Sequence, residues 1–163
     1  MKKYRNDMMP NMIEDNINNQ QSEDMNIQNY KNTVYNAYVV QIKSIYNNNF
    51  VEIGFDDFFY ATGSQSPGKI FMIILLEDNN IMLRIHGGRF LRIDKNGFLV
   101  VDTNNEGASV FTLEEVDGVE YALLAPNGSY LRVRVRESDN RLVADVQEID
   151  EYAAFKFRTI TYY

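Results

Sequence analysis

The stretch GGRFLRIDKNGFLVVD, from Gly87 to Asp102, has a close relative further along the chain, NGSYLRVRVRESDNRLVAD, from Asn127 to Asp145. A third copy precedes both. Phe50, Phe90 and Tyr130 are spaced by 40 and 40 residues, in the phrases NNFVEI, GRFLRI and GSYLRV. Phe71 and Phe111 are also 40 apart, and Phe155 follows after 44. Tyr38, Ile81 and Tyr121 open YVVQIK, IMLRIH and YALLAP, and a fourth set reads FFYAT, FLVVD and RLVAD. The differences in length fall in GSQSPGK (63–69), RESDN (136–140) and QEIDEY (147–152). Self-similarity at a fixed period marks a fold built from repeated units. Four strand phrases in three copies give twelve strands.

The phrases alternate as strands do. In YLRVRV, Leu131, Val133 and Val135 take one face and Arg132, Arg134 and Arg136 the other. In RFLRID, Leu91 and Ile93 oppose Phe90, Arg92 and Asp94. Hairpin signals lie between the phrases, in KNG at 95–97, DG at 117–118 and NG at 127–128. No useful helical period appears after residue 35. Three units of four strands, none able to bury its own apolar face, must close on one another, and closure also removes exposed sheet edges. The pattern predicts an all-β chain that resembles a β-trefoil, a six-stranded barrel capped by three hairpins. Its repeats run over about 37–80, 81–120 and 121–160. Phe90, Leu91, Leu99, Phe111, Tyr130, Leu131 and Phe155 are its expected core.

Within that fold, G-x-[FY]-L followed by G-x-L-x-x-[DA] and an F-x-[LF] strand resembles the fascin-like branch. Fibroblast growth factors share the pattern more distantly. The resemblance covers about residues 37–160 and is strongest over 81–157. Repeat one departs from it: Val51 stands for the leucine and Asn49 for the glycine. Fascin bundles actin with several trefoils in one chain. A single trefoil would need to self-associate to cross-link anything.

Composition narrows the function. The chain has 163 residues, enough for one domain with a real core. Its longest apolar run, IFMIILL at 70–76, falls far short of the ~18 residues that cross a bilayer, so no membrane insertion is expected. The two lysines after Met1 are not followed by an apolar segment, which predicts synthesis in the cytoplasm without a classical signal peptide. The absence of cysteine excludes disulfides and thiolate metal sites. A net charge of −7 argues against nucleic acid as a partner.

Candidate chemistry is sparse. His86 is the only histidine, so a zinc site and a Ser-His-Asp triad both lack ligands or partners, and no metal or cofactor is expected. Pairs such as Asp56-Asp57 and Glu114-Glu115 would point to opposite faces of a strand and make poor acid–base couples. No catalytic residues are assigned, and the chain reads as a non-enzyme. A ricin-type lectin would need Gln-x-Trp phrases, and the chain has no tryptophan. Arg84, Arg89, Arg92, Arg132, Arg134 and Arg136 form the one basic concentration, a candidate face for sulfate, phosphate or an acidic partner.

Residues 1–34 differ from the rest, being rich in Asn and Gln and holding five of the seven methionines. Such composition marks a polar tail. Against that, Met9, Ile13 and Ile17, with Met8 and Met12 alongside, make an apolar stripe at helical spacing, and Met25, Ile27 and Tyr30 supply a second cluster. The stripe predicts a scaffold trefoil whose arm docks on a neighbouring copy and builds a homo-oligomer or fibre. The Asn-rich, Lys/Ile/Tyr-favouring usage points to a low-GC bacterium, with a spore surface or parasporal body as the expected setting. The alternative is a module that binds carbohydrate or an acidic partner, with the arm passive.

Overall fold

A computed structural model describes residues 36–64 and 69–160. The assembly-arm residues Met8, Met9, Met12, Ile13, Ile17, Met25, Ile27 and Tyr30 lie outside them. Twelve strands appear among the described residues: β1 (Asn36–Ser44), β2 (Phe50–Ile53), β3 (Phe59–Gly63), β4 (Phe71–Leu75), β5 (Asn80–Ile85), β6 (Leu91–Ile93), β7 (Leu99–Val101), β8 (Val110–Asp117), β9 (Glu120–Leu124), β10 (Tyr130–Arg134), β11 (Arg141–Val146) and β12 (Phe155–Thr159). The one helical element among them is a single 3₁₀ turn at Glu151–Ala153, capped by the Asp150 carboxylate, which accepts from the Tyr152 amide.

Six strands close a ring. β1 pairs with β4, β4 with β5, β5 with β8, β8 with β9, β9 with β12, and β12 returns to β1. Every pairing is antiparallel. The hairpins β2–β3, β6–β7 and β10–β11 cap one end of the ring. They lock by a cyclic register in which one position of each hairpin bridges the next hairpin two residues further on: Phe58 to Val100, Phe98 to Val143, and Arg141 to Tyr60. The chain is the β-trefoil that its repeats require.

The repeated aromatic and branched positions fill the barrel. Tyr38, Phe71, Ile81, Phe111, Tyr121 and Phe155 are all at most 1% exposed and belong to one core cluster. They take alternate positions on their strands, so the intervening side chains face outward. Leu91, Leu99 and Leu131 join the same cluster from the cap. Phe90 is buried but packs in a second cluster with Ala37, Val39, Met72, Ile74, Leu76 and Met82, as its opposition to Leu91 demands.

Tyr130 departs from the expected core. It is half-buried, and its hydroxyl donates to Glu114 Oε2 at 2.9 Å. A phenol needs a partner when it leaves water, and the rim of the barrel gives it one while the phenylalanines at the equivalent positions sink in. The positive φ of the first repeat's turn falls on Asn48, not Asn49, and so matches Gly128, which also precedes its aromatic by two. At Gly97 the requirement for glycine is double. Its φ is +89°, and a Cβ there would lie 2.9 Å from the Ala144 carbonyl oxygen, whose residue donates its amide to the Gly97 carbonyl.

Phe111 fills the barrel centre with no exposure. Phe111→Ala should cost about 3–5 kcal/mol, read as a lowered denaturant midpoint. A midpoint equal to the parent's would show that the repeat register is wrong.

Candidate functional site

The six arginines do not form one open basic face. Arg132 holds Asp145 with two parallel bonds, Nε to Oδ1 at 2.5 Å and Nη2 to Oδ2 at 2.9 Å. Arg134 grips Asp139 through Nη2 and reaches Glu137 Oε2 at 3.5 Å. Arg92 meets Glu106 at 2.9 Å and the buried Asp102 at 3.6 Å. Arg89 donates to the Asp102 carbonyl at 2.6 Å and to Asn105. Arg84 donates to the Gly88 carbonyl and lies 5.5 Å from the centre of the Phe90 ring. Arg136 is exposed beyond the end of β10. In the group Arg84–Arg89–Arg92 a carboxylate answers Arg92, and in the group Arg132–Arg134–Arg136 carboxylates answer Arg132 and Arg134. Alternation along the sequence puts these arginines outside but does not show that the facing strand and turns carry the opposite charge.

The cap has a centre that alternation alone does not reveal. Phe58, Phe98 and Arg141 are the first residues of FFYAT, FLVVD and RLVAD, so they are threefold equivalents. Phe58 and Phe98 meet edge to face at 5.5 Å. The Arg141 guanidinium lies 4.4 Å from the Phe58 ring centre, 5.1 Å from Phe98 and 5.3 Å from Tyr60. A planar cation stacks on aromatic faces in place of a third phenylalanine. Asp56 and Asp139 flank it at 3.8 and 3.7 Å. Asp56 accepts from Tyr60 Oη at 2.5 Å, and that bond holds its carboxyl below the usual range. Arg134 does the same for Asp139, helped by the Arg141 amide. The arrangement is neutralised and closed, and it rigidifies the junction of the three hairpins.

A different surface is open. Tyr46, in the turn after β1, is 43% exposed, and its ring meets that of Tyr152 at 4.7 Å in an edge-to-face arrangement. The Asp150 and Glu151 carboxylates lie beside Tyr152, whereas the Asn47 amide is engaged by the Ala61 carbonyl and the Asn49 amide. The Glu151 carboxylate raises the Tyr152 hydroxyl above its ordinary value. Tyr46 and Tyr152 come from loops 106 residues apart in sequence, and no repeated phrase contains either. His86 sits exposed in the turn after β5, and no group of three or more His, Asp or Glu able to hold a metal occurs among the described residues.

The fascin domain profile matches residues 60–157, more than half of the chain. The chain belongs to the fascin domain family. No curated protein matches it in sequence. Among solved structures this fascin domain is similar to a designed threefold-symmetric protein, ThreeFoil, at 13% identity and a TM-score of 0.64, over 75% of this chain and 99% of that one. It is also similar to a ricin B-like lectin of Macrolepiota procera in complex with lactose, at 10% identity and 0.59, over 74% and 94%. SeviL bound to asialo-GM1 saccharide matches at 18% identity and 0.56, over 74% and 95%. At these identities the likeness is one of fold.

The Asp139 carboxyl in the fascin domain cap titrates below the ordinary carboxylate value because of Arg134. Its contribution is therefore full above about pH 4 and is lost as pH falls through the folded value. Asp139→Asn is expected to shrink the loss of melting temperature between neutral and acid pH. An unchanged acid limb would show that the carboxylate is not held.

Proposed function

We propose that this fascin domain is a non-enzymatic recognition module that takes a neutral, hydroxyl-rich glycan on the Tyr46–Tyr152 platform. The exposed Tyr46 ring, fixed against Tyr152 beside the Asp150 and Glu151 carboxylates, is the observation that carries the reading. A sugar ring offers C–H groups on its faces and hydroxyls at its edge. An aromatic ring covers the first, and carboxylates accept from the second. The charge chooses between glycans: a net −7, with Arg92, Arg132 and Arg134 engaged by carboxylates, opposes a sulfated or otherwise anionic one. Two of the similar structures hold lactose or a saccharide, which supports the same ligand class.

Affinity chromatography on immobilised neutral glycans tests it. The parent is expected to be retarded on at least one matrix at physiological salt. Tyr46→Ala should abolish that retardation with only a small fall in melting temperature, since the ring is 43% exposed and its one aromatic contact among the described residues is Tyr152. A parent protein that passes unretarded through every neutral matrix, or a Tyr46→Ala variant retarded as strongly as the parent, would overturn the proposal.

A second reading, a scaffold that assembles through its arm at a spore surface or parasporal body, draws on the Met/Ile stripe at residues 8–17. It expects deletion of residues 1–34 to lower the mass measured by light scattering at fixed protein concentration. An equal mass per particle, once corrected for the deletion, would count it out.

A further inference from the structure

The turns that join β2 to β3 and β6 to β7 are built alike. The Gly54 amide donates to the Phe58 carbonyl at 2.8 Å, and the Asp57 amide to the Gly54 carbonyl at 3.1 Å. In the second repeat the Asp94 amide donates to the Phe98 carbonyl at 2.9 Å, and the Gly97 amide to the Asp94 carbonyl at 3.0 Å. Asp57 and Gly97 both have positive φ, +66° and +89°. Phe55 and Lys95 therefore occupy the same position of the same turn. Lysine suits that exposed place. Phe55 does not: at 112% exposure it is the one large apolar side chain wholly in water among the described residues. The third turn, between β10 and β11, carries the exposed Arg136, Glu137 and Ser138. The turn thus closes on polar residues elsewhere in the molecule, and an aromatic ring held in water contributes no burial to the fold.

We propose that the β2–β3 turn is a docking point for a protein partner, with Phe55 entering an apolar pocket whose rim carries lysine or arginine to meet Asp57. The backbone under the ring is already fixed. Asp56 accepts from the Phe58 amide at 3.1 Å and from the Tyr60 hydroxyl at 2.5 Å, and the Asp57 carbonyl accepts from the Val101 amide of the next hairpin. A rigidly presented aromatic anchor loses little freedom when a pocket closes on it, and such anchors dominate the energy of protein interfaces. Charge selects the kind of partner. Asp56 and Asp57 are both exposed beside the ring. Arg141 answers Asp56 at 3.8 Å, whereas no cation pairs with Asp57 among the described residues. Asp57, Gly97 and Asn140 share the positive-φ position of the three turns, and of these only Asp57 brings a charge. A basic rim complements that carboxylate, while a chain of net charge −7 is repelled by an anionic lipid surface.

The docking point is separate from the glycan platform, since Tyr46 lies in the turn before β2 and Phe55 in the turn after it. A random peptide library displayed on phage serves as the probe, selected on the full-length parent after depletion on Phe55→Ser. Both other turns close on polar residues, so this variant is expected to keep the parent's melting temperature. The selected peptides are expected to combine aliphatic or aromatic residues with lysine or arginine. Their Kd should rise about thirtyfold on Phe55→Ser and about fivefold on Asp57→Asn, and should not change on Tyr46→Ala. Enrichment of acidic peptides, peptides that bind parent and Phe55→Ser equally, or a library that yields no peptide at all would overturn the proposal. Three other occupants would overturn it as well. A larger mass by light scattering for the parent than for Phe55→Ser would assign the turn to a second copy. Co-sedimentation of the parent but not the variant with phosphatidylcholine–phosphatidylserine vesicles would assign it to a membrane. Loss of glycan retardation in Phe55→Ser would assign it to the glycan.

Discussion

Closure of the six-stranded ring is the constraint on which everything else in this molecule rests. Each four-strand unit carries a row of apolar side chains that it has no means of covering. Tyr38, Ile81 and Tyr121 are buried only because the strands that bear Phe71, Phe111 and Phe155 come round to meet them. Each of the six strands pairs with two neighbours in the ring, so none of them is an edge strand of the barrel. The cap follows the same rule. The cyclic bridges among Phe58, Phe98 and Arg141 and their neighbours hold three short hairpins that would be marginal alone.

Symmetry settles the architecture, and departures from it carry the individuality of this chain. At the cap centre, arginine replaces a third phenylalanine. Its charge then recruits Asp56 and Asp139, which converts an apolar plug into a paired one. On the barrel wall, Met72 and Ile74 stand where the other repeats have threonine, glutamate, lysine and arginine. In the loops, Tyr46 and Tyr152 meet although neither has a repeated counterpart. A residue kept by all three repeats answers to packing. A residue found in one repeat is free to answer to something else.

The legible part of the sequence was the part governed by period. Spacing of 40 placed Leu91, Leu99, Leu131, Phe111 and Phe155 in the core, because a position buried in one repeat is buried in its equivalents. The same logic overreached at Tyr130, where the hydroxyl drew the ring to the rim and to Glu114. It also treated six arginines as one face, since alternation reports which side of a strand a residue takes and says nothing of what lies across from it. Asp145, Asp139 and Glu106 come from the paired strand or from turns, and only folding brings them to the guanidinium groups. The Phe58, Phe98 and Arg141 equivalence was present in the aligned phrases, but its meaning required the threefold axis on which the three side chains meet.

By itself, then, the amino-acid sequence determined the number of strands, their grouping in threes, the inward and outward sets on each strand, and the turns at Gly97, Gly118 and Gly128, because these depend on local sterics and on a two-residue alternation. Tertiary structure alone decided which charges are paired and which aromatic rings stay in water. Those properties belong to pairs of segments distant in the chain. Tyr46 and Tyr152 approach only when β1 and β12 lie side by side in the closed barrel.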